Sequence, residues 1–205
     1  MSDCEGGVSA SAPLVGRQAD QARASTDTSP RARPRLVVAL HWLTVLALLL
    51  AAAVILARAQ VGGRALRAAL LEIHRHLGLA VLLLFALRIA VRLRLGPLPD
   101  PGCPSRPLRA AAELTHAALY GALLVLPMLG WMLSNAEGKP VDLLGLPLPQ
   151  LVPPDLDLAD ELLVWHQGAA WALLALTLLH VAAALWHHFV RRDGVLRAMG
   201  FRTRD

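Results

Sequence analysis

Four long apolar segments divide the chain, and each is long enough to cross a membrane. They run from about 36 to 57, 68 to 91, 109 to 134 and 160 to 190. A helix rises about 1.5 Å per residue, so about 20 apolar residues span the hydrocarbon of a bilayer. Helices satisfy their own backbone hydrogen bonds in lipid. The pattern therefore predicts an all-α integral membrane protein, a four-helix bundle embedded in lipid.

The segments between and before the apolar runs are polar and rich in helix-breaking residues. Proline and glycine interrupt the chain between 96 and 102, and five prolines lie between 140 and 154. Residues 1–34 are rich in Ser, Ala, Gly, Asp and Arg and contain no apolar core of a signal peptide. We therefore expect a disordered cytoplasmic tail over 1–34 and a single transmembrane domain over 35–205.

The distribution of charged residues predicts how the chain is oriented in the membrane. The sequence pI is about 10.5, although only 17% of residues are charged. The arginines cluster at the ends of the apolar segments, so membrane lipid rather than nucleic acid is the expected partner. The tail, the loop after the second segment and the C-terminus are rich in arginine, whereas the loop after the third has one lysine and six acids. By the positive-inside rule, both termini are expected in the cytoplasm.

The chemistry lies in the eight histidines, all of which fall within the apolar segments or at their ends. Ionisable residues inside a bilayer are costly and usually functional. His41 and His180 are expected near the cytoplasmic side, and His74 and His166 near the outer side. His166 and His180 are 14 residues apart, which places them about 21 Å apart on nearly one helix face. The depths therefore predict two pairs, His41 with His180 and His74 with His166.

Two bis-histidine sites at different depths are what two b-type haems require, because imidazole is a common axial ligand of haem iron. The chain has no C-x-x-C-H motif for covalent haem attachment. His76 competes with His74, since the two point about 200° apart on a helix and cannot share one iron. Periodicity leaves that choice open, and hydrogen bonding between helices is the simpler alternative for any single membrane histidine.

Several motifs occur in an order that is typical of one family. They are Leu40-His41-Trp42-Leu43, Ile73-His74-x-x-x-Gly78 with Arg88 after it, Thr115-His116-x-x-x-Tyr120, Pro127-x-x-Gly130, Trp165-His166, and His180 followed by Ala182-Ala183-Ala184 and His187-His188. Through these motifs the chain, from about Arg35 to Arg202, resembles the bacterial cytochrome b561 family.

The resemblance implies a multi-pass protein of the bacterial cytoplasmic membrane that holds two haem b groups. It implies axial ligands at His41 and His180 for the inner haem and at His74 and His166 for the outer one, and so favours His74 over His76. It also implies electron transfer to or from quinone, with superoxide oxidation at the outer face. It identifies neither the electron donor nor the oligomeric state.

Four further residues are candidate contacts of a quinone or of haem propionates: His116, His187, His188 and Arg88. The three histidines are expected beside the inner haem, where interfacial packing is the alternative interpretation. Arg88 is expected to pair with a propionate or to extend toward the interface. Cys4 and Cys103 lie outside the apolar segments and are expected to remain reduced in the cytoplasm.

Two other functions stay open at this point. The chain could be the cytochrome b subunit that anchors a larger complex such as a hydrogenase or a formate dehydrogenase. Alternatively, a transporter could use the histidines for metal ions or protons. Short loops and small size favour a separate dihaem electron carrier over a subunit of a larger complex, and absence of haem with zinc present in the purified protein would favour the transporter.

Overall fold

The computed structural model describes residues 35–95, 106–143 and 145–191, and four long helices account for most of them. The helices are α1 (Arg35–Gln60), α2 (Arg64–Leu95), α3 (Arg106–Ala136) and α4 (Leu156–Trp186). All four are long and apolar enough to cross a membrane. The predicted all-α transmembrane four-helix bundle is therefore confirmed. The predicted disordered tail and both cysteines lie outside the described residues.

The helices extend beyond the apolar segments, so the first connection is much shorter than the sequence pattern indicates. Only residues 61–63 separate α1 from α2, and Gly63 adopts a left-handed conformation with φ of 84°. Glycine adopts this conformation without steric cost. The tight turn folds α1 and α2 against each other as an antiparallel pair.

A small β-hairpin lies in the connection between α3 and α4. Strand β1 (Asp142–Leu143) pairs with β2 (Leu146–Pro147) in antiparallel register. Gly145 allows the turn through a positive φ of 85°. We call the end of the bundle with this hairpin and the α1–α2 turn the loop end, and the opposite end the terminal end.

The last helix begins and ends at well-defined local features. The Asp155 carboxylate accepts hydrogen bonds from the backbone N–H groups of Asp157 and Leu158, which caps the free donors of the first turn. The helix continues for 31 residues, about 46 Å, and a π-helical turn then covers His187–Arg191. The fourth segment thus exceeds the thickness of the hydrocarbon, as its length predicted.

Most of the helix surface faces outward, and the packed interior is small. One cluster joins Ala47, Val81 and Leu123 of the first three helices. A second joins Ala136 of α3 to Ala159 and Leu162 of α4. In the most apolar window of α4 only 6% of residues are buried within the protein. Such exposed leucine-rich faces are stable when lipid covers them.

Candidate functional site

Two of the predicted ligand histidines lie side by side at the loop end. The ring centroids of His74 on α2 and His166 on α4 are 6.3 Å apart, and the ring planes are nearly perpendicular at 84°. Both side chains are half-buried. The structure thus brings together two residues that are 92 positions apart in the sequence and that the helix arithmetic had paired.

Each of these two imidazoles is oriented by a backbone carbonyl of another helix. His74 Nδ1 lies 2.9 Å from the carbonyl oxygen of Ala51 in α1, and His166 Nδ1 lies 3.1 Å from that of Leu126 in α3. A carbonyl only accepts, so both Nδ1 atoms must donate their hydrogen. Each neutral ring therefore keeps its lone pair on Nε2, the arrangement in which histidine commonly binds a metal.

Gly130 lets α3 approach His166 closely enough for this hydrogen bond. A Cβ atom at position 130 would lie 3.1 Å from Cε1 and 3.5 Å from Nδ1 of His166. Pro127, inside α3, follows directly after the carbonyl that His166 uses. The Pro127-x-x-Gly130 motif thus marks the segment of α3 that contacts the candidate ligand.

The spacing of the two rings fits a metal ion bound between them. Two metal–nitrogen bonds of about 2 Å, with about 1 Å from each nitrogen to its ring centre, give a centroid separation of about 6 Å. A porphyrin also needs room between helices. An added Cβ atom at Gly78, one turn after His74 on nearly the same face of α2, would meet no other atom within 4 Å. The residues at the loop end therefore fit a bis-histidine haem.

The other predicted pair is arranged differently. On α1, His41 Nδ1 lies 3.3 Å from Nη1 of Arg88 on α2. A guanidinium only donates, so His41 Nδ1 must accept, which is the opposite role to that of the Nδ1 atoms at the loop end. The Arg88 guanidinium carbon also lies 5.4 Å from the ring centre of Tyr120 on α3.

His180, the predicted partner of His41, has His116 as a close ring neighbour. The centroids of His116 on α3 and His180 on α4 are 5.4 Å apart. His116 Nδ1 also donates to the carbonyl of Ala112, one turn earlier in its own helix, at 2.7 Å. The position of His116 along its apolar segment predicted only that it lies on the same side of the membrane as His180. It did not predict that the two rings are in contact.

The remaining candidates also lie toward the terminal end. His187 and His188 lie half-buried in the π-helical turn, and the His188 ring contacts Phe189. A narrow cleft opens beside Arg88 and is lined by Val37, Leu40, Arg88, Val91, Arg92, Leu95 and Tyr120. The cleft combines an apolar wall with two guanidinium groups and a phenol.

His76 lies apart from the His74–His166 pair. Its Nδ1 atom donates to the carbonyl of Glu72, and its Nε2 atom faces the Asp142 carboxylate of the hairpin at 3.9 Å. His74 and His76 point in directions about 200° apart on α2, and they accordingly contact different neighbours.

The structure also reveals groups that sequence reasoning did not consider. The Ala51 and Leu126 carbonyls belong to the backbone, so no residue type in the sequence marks them as hydrogen-bond acceptors for a histidine. Within the described part of the chain, the indole N–H of Trp131 is a buried donor with no hydrogen-bond partner. It follows Gly130 on α3, and a buried donor of this kind is costly unless an acceptor reaches it. A haem propionate would supply such an acceptor.

Comparison with known proteins identifies the family of the chain. The profile of the family described as prokaryotic cytochrome b561 matches residues 32–202. Over 164 residues the chain is 30% identical to the probable superoxide oxidase CybB of Yersinia pestis, and the aligned region covers 80% of this chain and 93% of that protein. It is also 30% identical over 164 residues to cytochrome b561 homolog 1 of Escherichia coli strain K12, covering 78% of this chain and 92% of the relative.

A third relative, cytochrome b561 homolog 2 of Escherichia coli strain K12, is 31% identical over 130 residues, which is 62% of this chain and 69% of the relative. The family profile covers all four helices and every candidate histidine. These proteins are membrane-embedded electron-transfer oxidoreductases, as the sequence motifs indicated. The chain belongs to the prokaryotic cytochrome b561 family.

Proposed function

We propose that the chain binds two b-type haems and transfers electrons across the membrane between a donor at the loop end and quinone at the terminal end. The main support is the His74–His166 pair, with centroids 6.3 Å apart and both Nδ1 atoms held by backbone carbonyls. When bound, haem would supply reversible one-electron transfer, and His74 and His166 would hold its iron through their Nε2 atoms. The protein's task is to orient these imidazoles and exclude water.

The second haem is assigned to His41 and His180, on grounds of depth and family resemblance. His166 and His180 are about 21 Å apart along α4. In this assignment Arg88 releases His41 Nδ1 and pairs with a propionate, which a guanidinium binds through two parallel hydrogen bonds. The contact between His116 and His180 makes His116 the competing ligand.

Quinone is assigned to the terminal end. The narrow cleft beside Arg88 and Tyr120 lies at this end and combines apolar side chains with polar groups. His116, His187 and His188 are the candidates for hydrogen bonding to the quinone or for donating protons to it. The Yersinia relative named as a probable superoxide oxidase supports superoxide as the donor at the loop end. That direction requires the loop end to face the periplasm and both termini the cytoplasm.

Quantifying haem in single-histidine variants tests the proposal. The fully loaded protein should contain two haems per chain by the pyridine haemochrome method. His74→Ala and His166→Ala should each lose the same haem, whereas His76→Ala should keep both. One haem per chain in the loaded protein, or loss of haem on His76→Ala alone, would contradict the assignment.

The same measurement decides the second site. His41→Ala and His180→Ala should lose the other haem, and His116→Ala should retain it. If His116→Ala removes that haem while His41→Ala leaves it in place, the ligand that pairs with His180 is His116 on α3 and not His41 on α1.

A further inference from the structure

His76 belongs to a cluster of metal-binding side chains outside the proposed haem sites. The cluster joins Glu72 and His76 on α2 to Asp142 on the hairpin, and one donor atom from each lies within 4.8 Å of the other two. His76 Nδ1 lies 3.8 Å from a Glu72 carboxylate oxygen, and Nε2 lies 3.9 Å from Asp142 Oδ2. Three donors from two separate elements thus converge at the loop end.

The imidazole already has its metal-binding nitrogen free. His76 Nδ1 donates to the Glu72 carbonyl at 2.9 Å, so the lone pair of the neutral ring is on Nε2, facing Asp142. Ligand atoms on a tetrahedral zinc ion are about 3.3 Å apart, given bonds of about 2 Å. The 3.9 Å between His76 Nε2 and Asp142 Oδ2 is close to this spacing. Because the three donors lie within 4.8 Å of one another, shifts of up to about 1.5 Å bring them to bonding positions.

The two carboxylates are positioned by other residues. Arg75 donates to Glu72 Oε2 at 3.1 Å, which leaves Oε1 on the side of His76. The Gly145 backbone N–H donates to Asp142 Oδ2 at 3.1 Å and fixes this side chain within the hairpin turn. Hydrogen bonds from neighbouring groups commonly orient metal-binding carboxylates in this way.

We propose that Glu72, His76 and Asp142 bind a divalent transition-metal ion, with zinc as the best fit. Zinc binds imidazole nitrogen and carboxylate oxygen, and three protein ligands leave the fourth tetrahedral position open for water. Calcium and magnesium prefer all-oxygen sites, and copper(I) prefers sulfur. The ion would link the hairpin between α3 and α4 to α2, two residues from His74.

Zinc titration of the haem-loaded protein tests this proposal. The protein is purified without a histidine tag, stripped with EDTA and titrated with zinc chloride by calorimetry in detergent. We expect one ion per chain, and His76→Ala and Asp142→Asn should each weaken binding about tenfold or more. Asp160→Asn, an exposed acid outside the cluster, should bind as the unaltered chain does.

Absence of binding to the unaltered chain would overturn the proposal, as would equal affinity in His76→Ala. Weakening of equal size in Asp160→Asn would show nonspecific attraction to acidic residues and overturn it too. Haem content, measured on the same samples, reports folding and keeps the two proposals separate. Two haems without zinc binding refute only the zinc site, whereas zinc without haem refutes the proposed function.

Hydrogen exchange supplies an independent measurement. Because the ion would join Asp142 to α2, zinc should slow exchange of the hairpin amides about tenfold in the unaltered chain and leave it unchanged in His76→Ala. Equal zinc effects in both proteins would contradict the link between α2 and the hairpin.

Discussion

Replacing Gly130 with alanine tests whether the close approach of α3 sets the position of His166. The added Cβ would lie 3.1 Å from His166 Cε1, closer than ordinary van der Waals contact, so the ring must shift by a few tenths of an ångström. The same ring donates at 3.1 Å to the Leu126 carbonyl, which the shift would lengthen or misalign. The substitution thus disturbs both the position and the orientation of a proposed haem ligand.

The magnitudes separate the effect on haem from the effect on folding. Overpacking typically costs about 1–3 kcal/mol. Alanine in place of glycine inside a helix contributes about 1 kcal/mol in the opposite direction. Global stability should therefore change by no more than about 2 kcal/mol. Groups that orient a metal ligand affect affinity about 10- to 100-fold, so Gly130→Ala should release the loop-end haem correspondingly faster.

Transfer of haem to excess apomyoglobin, followed in the Soret band, measures this release. Gly121→Ala is the matched control, because position 121 lies on the same helix and an added Cβ there meets no other atom within 4 Å. The haem that dissociates faster should have the spectrum and potential of the one absent from His166→Ala. Equal release rates in the Gly130 and Gly121 variants would refute the reasoning.

Three further predictions concern the terminal end. Arg88→Ala should weaken retention of the haem assigned to His41 about tenfold or more. Arg88→Lys should restore part of this retention, since lysine keeps the charge without the paired donors. Equal haem retention in the unaltered chain and in both variants would exclude the propionate contact. Joint replacement of His116, His187 and His188 by alanine should slow quinone reduction about tenfold or more in stopped-flow assays while both haem spectra persist. Unchanged quinone reduction would place the quinone elsewhere. A reporter that works only in the cytoplasm should be active when fused after Asp205, and one that works only in the periplasm should be inactive there. The opposite result would mean that the loop end faces the cytoplasm.

Helix number and the proximity of His74 to His166 could be predicted from the sequence because both depend on regular geometry. Uninterrupted apolar segments determine the spans, and the rise per residue along α4 determines the separation of His166 from His180. The proximity of His74 and His166 follows from the same arithmetic once α2 and α4 both start at the loop end. No distant contact had to be known for these predictions.

The details of each site depend on contacts between helices, which the sequence pattern does not encode. The carbonyls of Ala51 and Leu126 carry no residue-specific signal, because every residue has the same acceptor. The contacts of Arg88 with His41 and of His116 with His180 depend on helix rotation and rotamer choice. The cluster around His76 required the hairpin, whose fold brings Asp142 over α2.

The two proposed haem sites differ in what holds their ligands. At the loop end every helix contributes: α1 and α3 supply carbonyls, and α2 and α4 supply His74 and His166. Backbone acceptors move only when a helix moves, so this site is preorganised by the packing of the bundle. At the terminal end the contacts join flexible side chains, and Arg88 occupies the Nδ1 atom of His41. Such contacts can be exchanged without moving a helix, which suits the end of the bundle that is proposed to accept both a haem and a quinone.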